Sequence, residues 1–186
     1  MPIPGVQHQS PITADMRTIV LPDGARATVR TLAGGEVAVV QEVFEGMSER
    51  SRYQRFMGAK PTLSQRDLEL LTAIDHENHE AFIAVDPTTG TAIGEAHLVR
   101  DREDQAVGEV AFAVTDEWQN RRLGTHLADL LAKGARELGI QRVGCQNSVH
   151  AAGRADLQAE PSFCTHTLAR RLRLCQRTDD AEKLRG

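Results

Sequence analysis

Residues 114–139, VTDEWQNRRLGTHLADLLAKGARELG, begin as the end of an apolar strand, cross a polar turn and become a helix with a glycine in its first turn. Leu123, Leu127, Leu130 or Leu131, and Leu138 fall on one side at helical spacing, and Gly139 ends the run. A helix N-terminus exposes unpaired backbone N–H groups and the positive end of its dipole, which suits it to hold a phosphate group. Gln119, Asn120, Arg121 and Arg122 add side-chain donors and charge at that point, and Gly124 permits close approach of a ligand or a neighbouring strand. A pyrophosphate is the natural guest. Neither G-x-x-x-x-G-K-[ST] nor G-x-G-x-x-G is present, so a Walker loop and a dinucleotide turn lose weight. The same residues also describe an ordinary helix opened by solvated arginines, with Gly124 there for packing. The local pattern alone does not choose between the two.

Working outward, the elements come in the order strand, several helices, three strands, helix, strand. ARATVRTLA (25–33) alternates small or apolar with polar residues and follows the turn PDG (22–24), as a first strand does. EVAVVQEVFEGMS (36–48) puts Val37, Val40, Val43 or Phe44, and Met47 at helical spacing. SERSRYQRFM (48–57) continues as a short helix capped by Ser48, and TLSQRDLELLTAID (62–75) as a third capped by Thr62 or Ser64. AFIAV (81–85), DPTTG (86–90) and TAIGEAHLV (91–99) read as a hairpin, and AVGEVAFAV (106–114) extends it to a meander. IQRVGC (140–145) closes the order as a strand able to pair in parallel after the helix. The expected class is α+β (mixed α/β): a central, mostly antiparallel mixed sheet flanked by helices. Residues 1–20 are Pro-rich and polar and read as a flexible arm, 21–146 as one folded domain, and 147–186 as a segment without clear periodicity.

Composition bounds the functional classes. A chain of 186 residues with 40% apolar and 26% charged residues suits one soluble domain, and a net charge of -4 argues against a strongly basic nucleic-acid surface. Neither a signal peptide nor a membrane span is indicated. Cys145, Cys164 and Cys175 are odd in number and lack C-x-x-C spacing, so neither a disulfide framework nor a zinc site is expected and a reducing cytoplasm fits best. DHENHE (75–80) gathers His76, Glu77, His79 and Glu80 without H-E-x-x-H spacing, and reads as a polar loop rather than a metal site. RRLRLCQR (170–177) reads as a solvated basic helix.

The run from Gly108 to Leu127, GEVAFAVTDEWQNRRLGTHL, resembles motif A of the GNAT superfamily of N-acetyltransferases. SERSRYQRFMGAKPTLSQRDLELLTAIDHENHEAFIAV (48–85) is similar to the corresponding segment of actinobacterial Pat-like protein lysine acetyltransferases, so the likeness runs from about 25 to 143. In that family a strand with a splayed end and a Q/R-x-x-G-x-G/A loop bind the pantetheine and pyrophosphate of acetyl-CoA. The resemblance implies that backbone groups of Phe112, Ala113 and Val114 pair with the pantetheine. It implies also that the turn Gln119, Asn120, Arg121, Arg122, Leu123, Gly124 and Thr125 holds the pyrophosphate. Arg122 stands where the pattern has its first glycine. Glu109 occupies the position of the general base, on the strand face shared with Val107, Ala111 and Ala113.

The implied activity is acetyl transfer from acetyl-CoA to a primary amine, a protein lysine included, by direct attack and without a metal. A monomer or homodimer in the cytoplasm is expected, with no nucleic-acid or membrane partner. After residue 145 the family's closing motifs are not recognisable. Asn147 is a possible loop asparagine, and the sole tyrosine, Tyr53, does not lie on the helix where many members place a general acid. The alternative reading is therefore a GNAT-like acyl-CoA-binding module with impaired catalysis; a third is an interaction domain with no acyl-CoA site.

Overall fold

The computed structural model describes residues 16–145. Six strands form one sheet in chain order: β1 (Arg17–Val20), β2 (Arg26–Thr31), β3 (His79–Val85), β4 (Ala92–Arg100), β5 (Val107–Val114) and β6 (Arg142–Cys145). The first five pair antiparallel, and β5 and β6 pair parallel. That change of direction requires a crossover, and α4 (Leu123–Glu137) supplies it. Between β2 and β3 run α1 (Val37–Glu45), α2 (Glu49–Phe56) and α3 (Gln65–Leu71). The mixed, mostly antiparallel sheet flanked by helices is the expected class.

Each face of the sheet has its own apolar core. Leu123, Leu127 and Leu131 of α4 pack with Phe82, Ala96, Leu98 and Val110 on one side. Val40, Val43 and Phe44 of α1 pack with Ala81, Ile83 and Ala113 on the other. The leucines of α4 at four-residue spacing explain the first and the valine-rich stripe of α1 the second. A bulge between Ala84 and Val85 shifts the register against β4, so Ala92 faces the α1 core while Gly94 stands near Leu123 and Leu127.

The helix starts follow the expected caps. Ser48 accepts from the Ser51 N–H, and Ser64 forms a reciprocal capping box with Asp67. Two boundaries differ from expectation. β1 lies inside the stretch read as an arm, because RTIV extends the sheet edge beside β2. The third helix stops at Leu71 instead of running to 75: Thr72 turns its hydroxyl onto the Leu68 carbonyl, and the Asp75 carboxylate collects the N–H groups of Glu77, Asn78 and His79 into a turn. The readings that fall on Asn147, on 147–186 and on the basic run 170–177 lie outside the described residues.

Candidate active site

Among the described residues β5 pairs with β6 along only the first half of its far edge. Its parallel register with β6 runs from Val107 opposite Arg142 to Val110 opposite Cys145, whereas its pairing with β4 continues to Val114 opposite Gly94. Among the described residues the edge from Ala111 to Val114 therefore has no strand on the β6 side. Backbone direction alternates along a strand, and the Thr115 N–H bonds the Ile93 carbonyl on the β4 side. The N–H and C=O groups of Phe112 and Val114 consequently face the open edge. Ala113 is buried against the α1 core, and Phe112 and Val114 are half-buried beside α4.

The turn that follows is braced from within. The Gln119 side-chain amide donates to the Val114 carbonyl (3.1 Å), Asp116 Oδ1 (3.1 Å) and Ser51 Oγ (3.0 Å). Its amide donates to protein acceptors because the Val114 carbonyl faces that side of the strand. Arg121 leans over the Trp118 ring at 5.0 Å and stands 3.5 Å from Asp23; an exposed pair of this kind is worth little. Arg122 is exposed, and no described residue pairs with it. Leu123 is buried in the α4 core and Thr125 donates its N–H to the Arg122 carbonyl. A Cβ built on Gly124 would approach Val114 Cγ2 at 4.0 Å, an ordinary contact. Packing within the described protein therefore does not demand glycine there.

Asn120 and Arg122 both adopt left-handed backbone conformations, at φ 60 and φ 66. Asparagine enters this region more readily than arginine, whose Cβ crowds the following carbonyl oxygen. Arg122 is also the N-cap of α4 and makes no side-chain capping bond, while glycine is a fair N-cap. Arg122→Gly is expected to raise stability by about 1 kcal/mol, or roughly 2–4 °C in Tm for a chain of this size. Arg122→Ala, which keeps a Cβ, should not. Equal melting temperatures for the glycine and alanine variants would sink this account of the turn.

Glu109 is half-buried on β5, opposite Val99 of β4 and Gly144 of β6. Directly paired residues share a face, so Glu109, Ala111 and Ala113 line up beside Val99, His97 and Glu95. Val99 is 42% exposed and gives this carboxylate an apolar neighbour open to solvent. Asp116 joins the turn to α2, accepting from the Ser48 N–H, Ser51 Oγ and Gln119. The polar-loop reading of 75–80 holds only for its first half. His79 and Glu80 are buried on β3, and His76 Nδ1 meets Glu80 Oε1 at 3.0 Å. Among the described residues no group of His, Cys, Asp and Glu is arranged to hold a metal ion, and no helix is long and apolar enough to cross a membrane.

A parallel strand pair, the outward-facing backbone groups of Phe112 and Val114 and a helix N-terminus beyond them mark this end of β5 as the candidate site. The sequence model of the Acetyltransferase (GNAT) family matches residues 45–155, and the chain belongs to this family of acetyltransferases, which use acetyl-CoA as cosubstrate. It is 30% identical over 134 residues to the acetyltransferase Pat of Mycolicibacterium smegmatis, an alignment taking in 72% of this chain and 38% of that protein. The GNAT domain of S. lividans PAT matches it in structure with a TM-score of 0.65 at 26% identity, covering 79% of this chain and 92% of that one. A cAMP-binding acyltransferase from Mycobacterium smegmatis matches with a TM-score of 0.50 at 23% identity, over 78% of this chain and 44% of that one; this second likeness concerns the fold alone. The chain spans well under half the length of the curated relative.

Proposed function

We propose that the chain is an N-acetyltransferase that moves an acetyl group from acetyl-CoA to a primary amine, a protein lysine included, with Glu109 as general base. The observation that carries this reading is the alignment of three features along one strand. Glu109 sits on β5 opposite Gly144 of β6, the outward-facing edge groups of Phe112 and Val114 follow, and the N-terminus of α4 stands beyond them. Acetyl-CoA supplies the acyl group as a thioester when bound. The Phe112 and Val114 edge offers it strand-like hydrogen bonds, and the Val114 N–H is a donor suited to polarising its carbonyl. The first-turn N–H groups of Leu123 and Gly124, with the Arg122 guanidinium, are the donors available to its pyrophosphate.

On the acceptor side an ammonium cannot attack until it has lost a proton. Glu109 takes that proton directly or through one water, and the amine lone pair is then free to form the new C–N bond as the thiolate departs. Exposed Val99 beside Glu109 presents an apolar surface for the methylene stem of a lysine-like amine.

Binding is tested first, by thermal shift. Acetyl-CoA at one hundred times its Kd should stabilise the chain by about 2.7 kcal/mol, and no shift at millimolar ligand would remove the acyl-CoA site. Turnover is tested by thiol release with a panel of amines and lysine peptides. The closing motifs that cannot be recognised after residue 145 favour the second reading, an acyl-CoA-binding module with impaired catalysis. Stabilisation without thiol release would establish that reading in place of the first.

A further inference from the structure

Four ionisable side chains that the reaction above does not use are buried on the face of the sheet that bears Glu109. Arg55 Nη2 of α2 lies 3.4 Å from Glu95 Oε1, the two side chains being 7% and 3% exposed, and His97 Nε2 lies 3.3 Å from Glu95 Oε2. His97 Nδ1 is 3.0 Å from His79 Nε2, and His79 Nδ1 is 3.1 Å from the Ala73 carbonyl. That carbonyl fixes the tautomers. It can only accept, so His79 carries its proton on Nδ1 and receives at Nε2 the Nδ1–H of His97. His97 is left with Nε2 turned to the Glu95 carboxylate. Arg55 Nε, Glu95 Oε2 and His97 Nε2 make no hydrogen bond although buried; charge and direction hold the group together.

Why a charged cluster stands here follows from α2 itself. ERSRYQRF places only Phe56 against the α1 core, edge-on to Phe44 at 5.8 Å, so a single apolar contact leaves its orientation to polar contacts. Its N-terminal end is tied to the turn after β5 through Ser48, Ser51 and Asp116. Arg52 caps the carbonyls of Phe44, Glu45 and Pro61. Arg55 is the arm that reaches down to the sheet, at the strand position opposite Ala113. A buried ion pair often adds less stability than an apolar pair of the same volume, but a guanidinium–carboxylate contact fixes direction as apolar contact does not.

We propose that Arg55, Glu95 and His97 are positioning residues that hold α2 in one orientation over the face carrying Glu109, so that α2 forms a fixed wall for the acceptor amine. The acceptor role rests on the reading of Glu109 as base; the docking of α2 does not. Two variants test it: Glu95→Gln, and the double apolar replacement Arg55→Met with Glu95→Leu. Amide hydrogen exchange reads α2 directly, and should be about tenfold faster over residues 49–56 in both variants, with α4 unchanged. With Nα-acetyl-lysine amide as acceptor, KM should rise about tenfold at nearly constant kcat, and the acetyl-CoA Kd should stay within about twofold. The double variant should regain the melting temperature lost by Glu95→Gln but neither the α2 protection nor the KM. Wild-type α2 protection and KM in a stable double variant would overturn the proposal, as would faster exchange spread evenly over the chain. A wild-type chain that transfers no acetyl group to any amine would overturn the acceptor role together with the Glu109 reading, while the exchange measurement still decides the docking of α2.

Discussion

Glu109→Gln is expected to lower kcat for acetyl transfer by about 10²–10⁴-fold at neutral pH, the ordinary worth of a positioned general base. In barrier terms that is about 3–5 kcal/mol. The amide is isosteric, so Val99, Ala111 and Gly144 keep their neighbour and the acetyl-CoA edge at Phe112 and Val114 is untouched. Acetyl-CoA stabilisation should therefore match the wild type. The pH profile separates a lost base from a disturbed site. A lysine amine titrates near 10.4, so in the Gln variant the rate should climb about tenfold per pH unit toward that value as bulk solvent does the deprotonation. A variant that remains equally active at neutral pH, or one whose deficit is the same at every pH, would sink the assignment of Glu109. Measuring kcat and KM from pH 6 to 10 for both proteins decides it.

The parts of this fold that the sequence disclosed are those in which local chemistry and tertiary role agree. Ser48 and Ser64 signal helix starts because their hydroxyls are the local solution for orphan N–H groups, and the structure uses both. The leucines of α4 and the valines of α1 announce their faces by spacing. The turn 119–125 was legible as a helix N-terminus, but the direction of each side chain was not. Gln119 looks like an anion donor in sequence and is spent on Val114, Asp116 and Ser51 in space.

Two other features depended on pairing and stayed hidden. β1 has a short, unremarkable pattern and becomes a strand only because β2 offers an edge. The buried cluster draws Arg55 from a helix, His79 from β3, and Glu95 and His97 from β4; no window of sequence contains it. One signal was present. In AIGEAHLVR, alternation puts Gly94, Ala96 and Leu98 on one face and Glu95 and His97 on the other, and two ionisable residues facing the helices of an ordinary sheet call for partners.

Acid should destabilise the chain in two successive windows, and the buried cluster is the reason. Burial first, and then the charge of His97, push the His79 imidazole down from 6.5 to about 4. Between those values the unfolded chain binds a proton that the folded chain refuses, so stability rises with pH through this window and falls as pH drops from 6.5 toward 4. A displacement from 6.5 to about 4 corresponds to about 3 kcal/mol. Glu95 supplies the second window. Burial raises its affinity for a proton, but the charge of His97, and then that of Arg55, overcome this and hold the carboxyl below 4.5. A depressed carboxyl contributes stability above its unfolded value that is lost as pH falls below 4.5 through the folded one. Urea unfolding from pH 7 to 3.5 should therefore show a decline that begins near 6.5, above the range of any ordinary carboxylate. His79→Gln cannot titrate and should flatten the curve between 6.5 and 4.5 while leaving the lower decline in place. A wild-type curve already flat down to pH 4.5 would mean that His79 is not held neutral by its burial beside His97, and the tautomer order that aims His97 at Glu95 would fall with it.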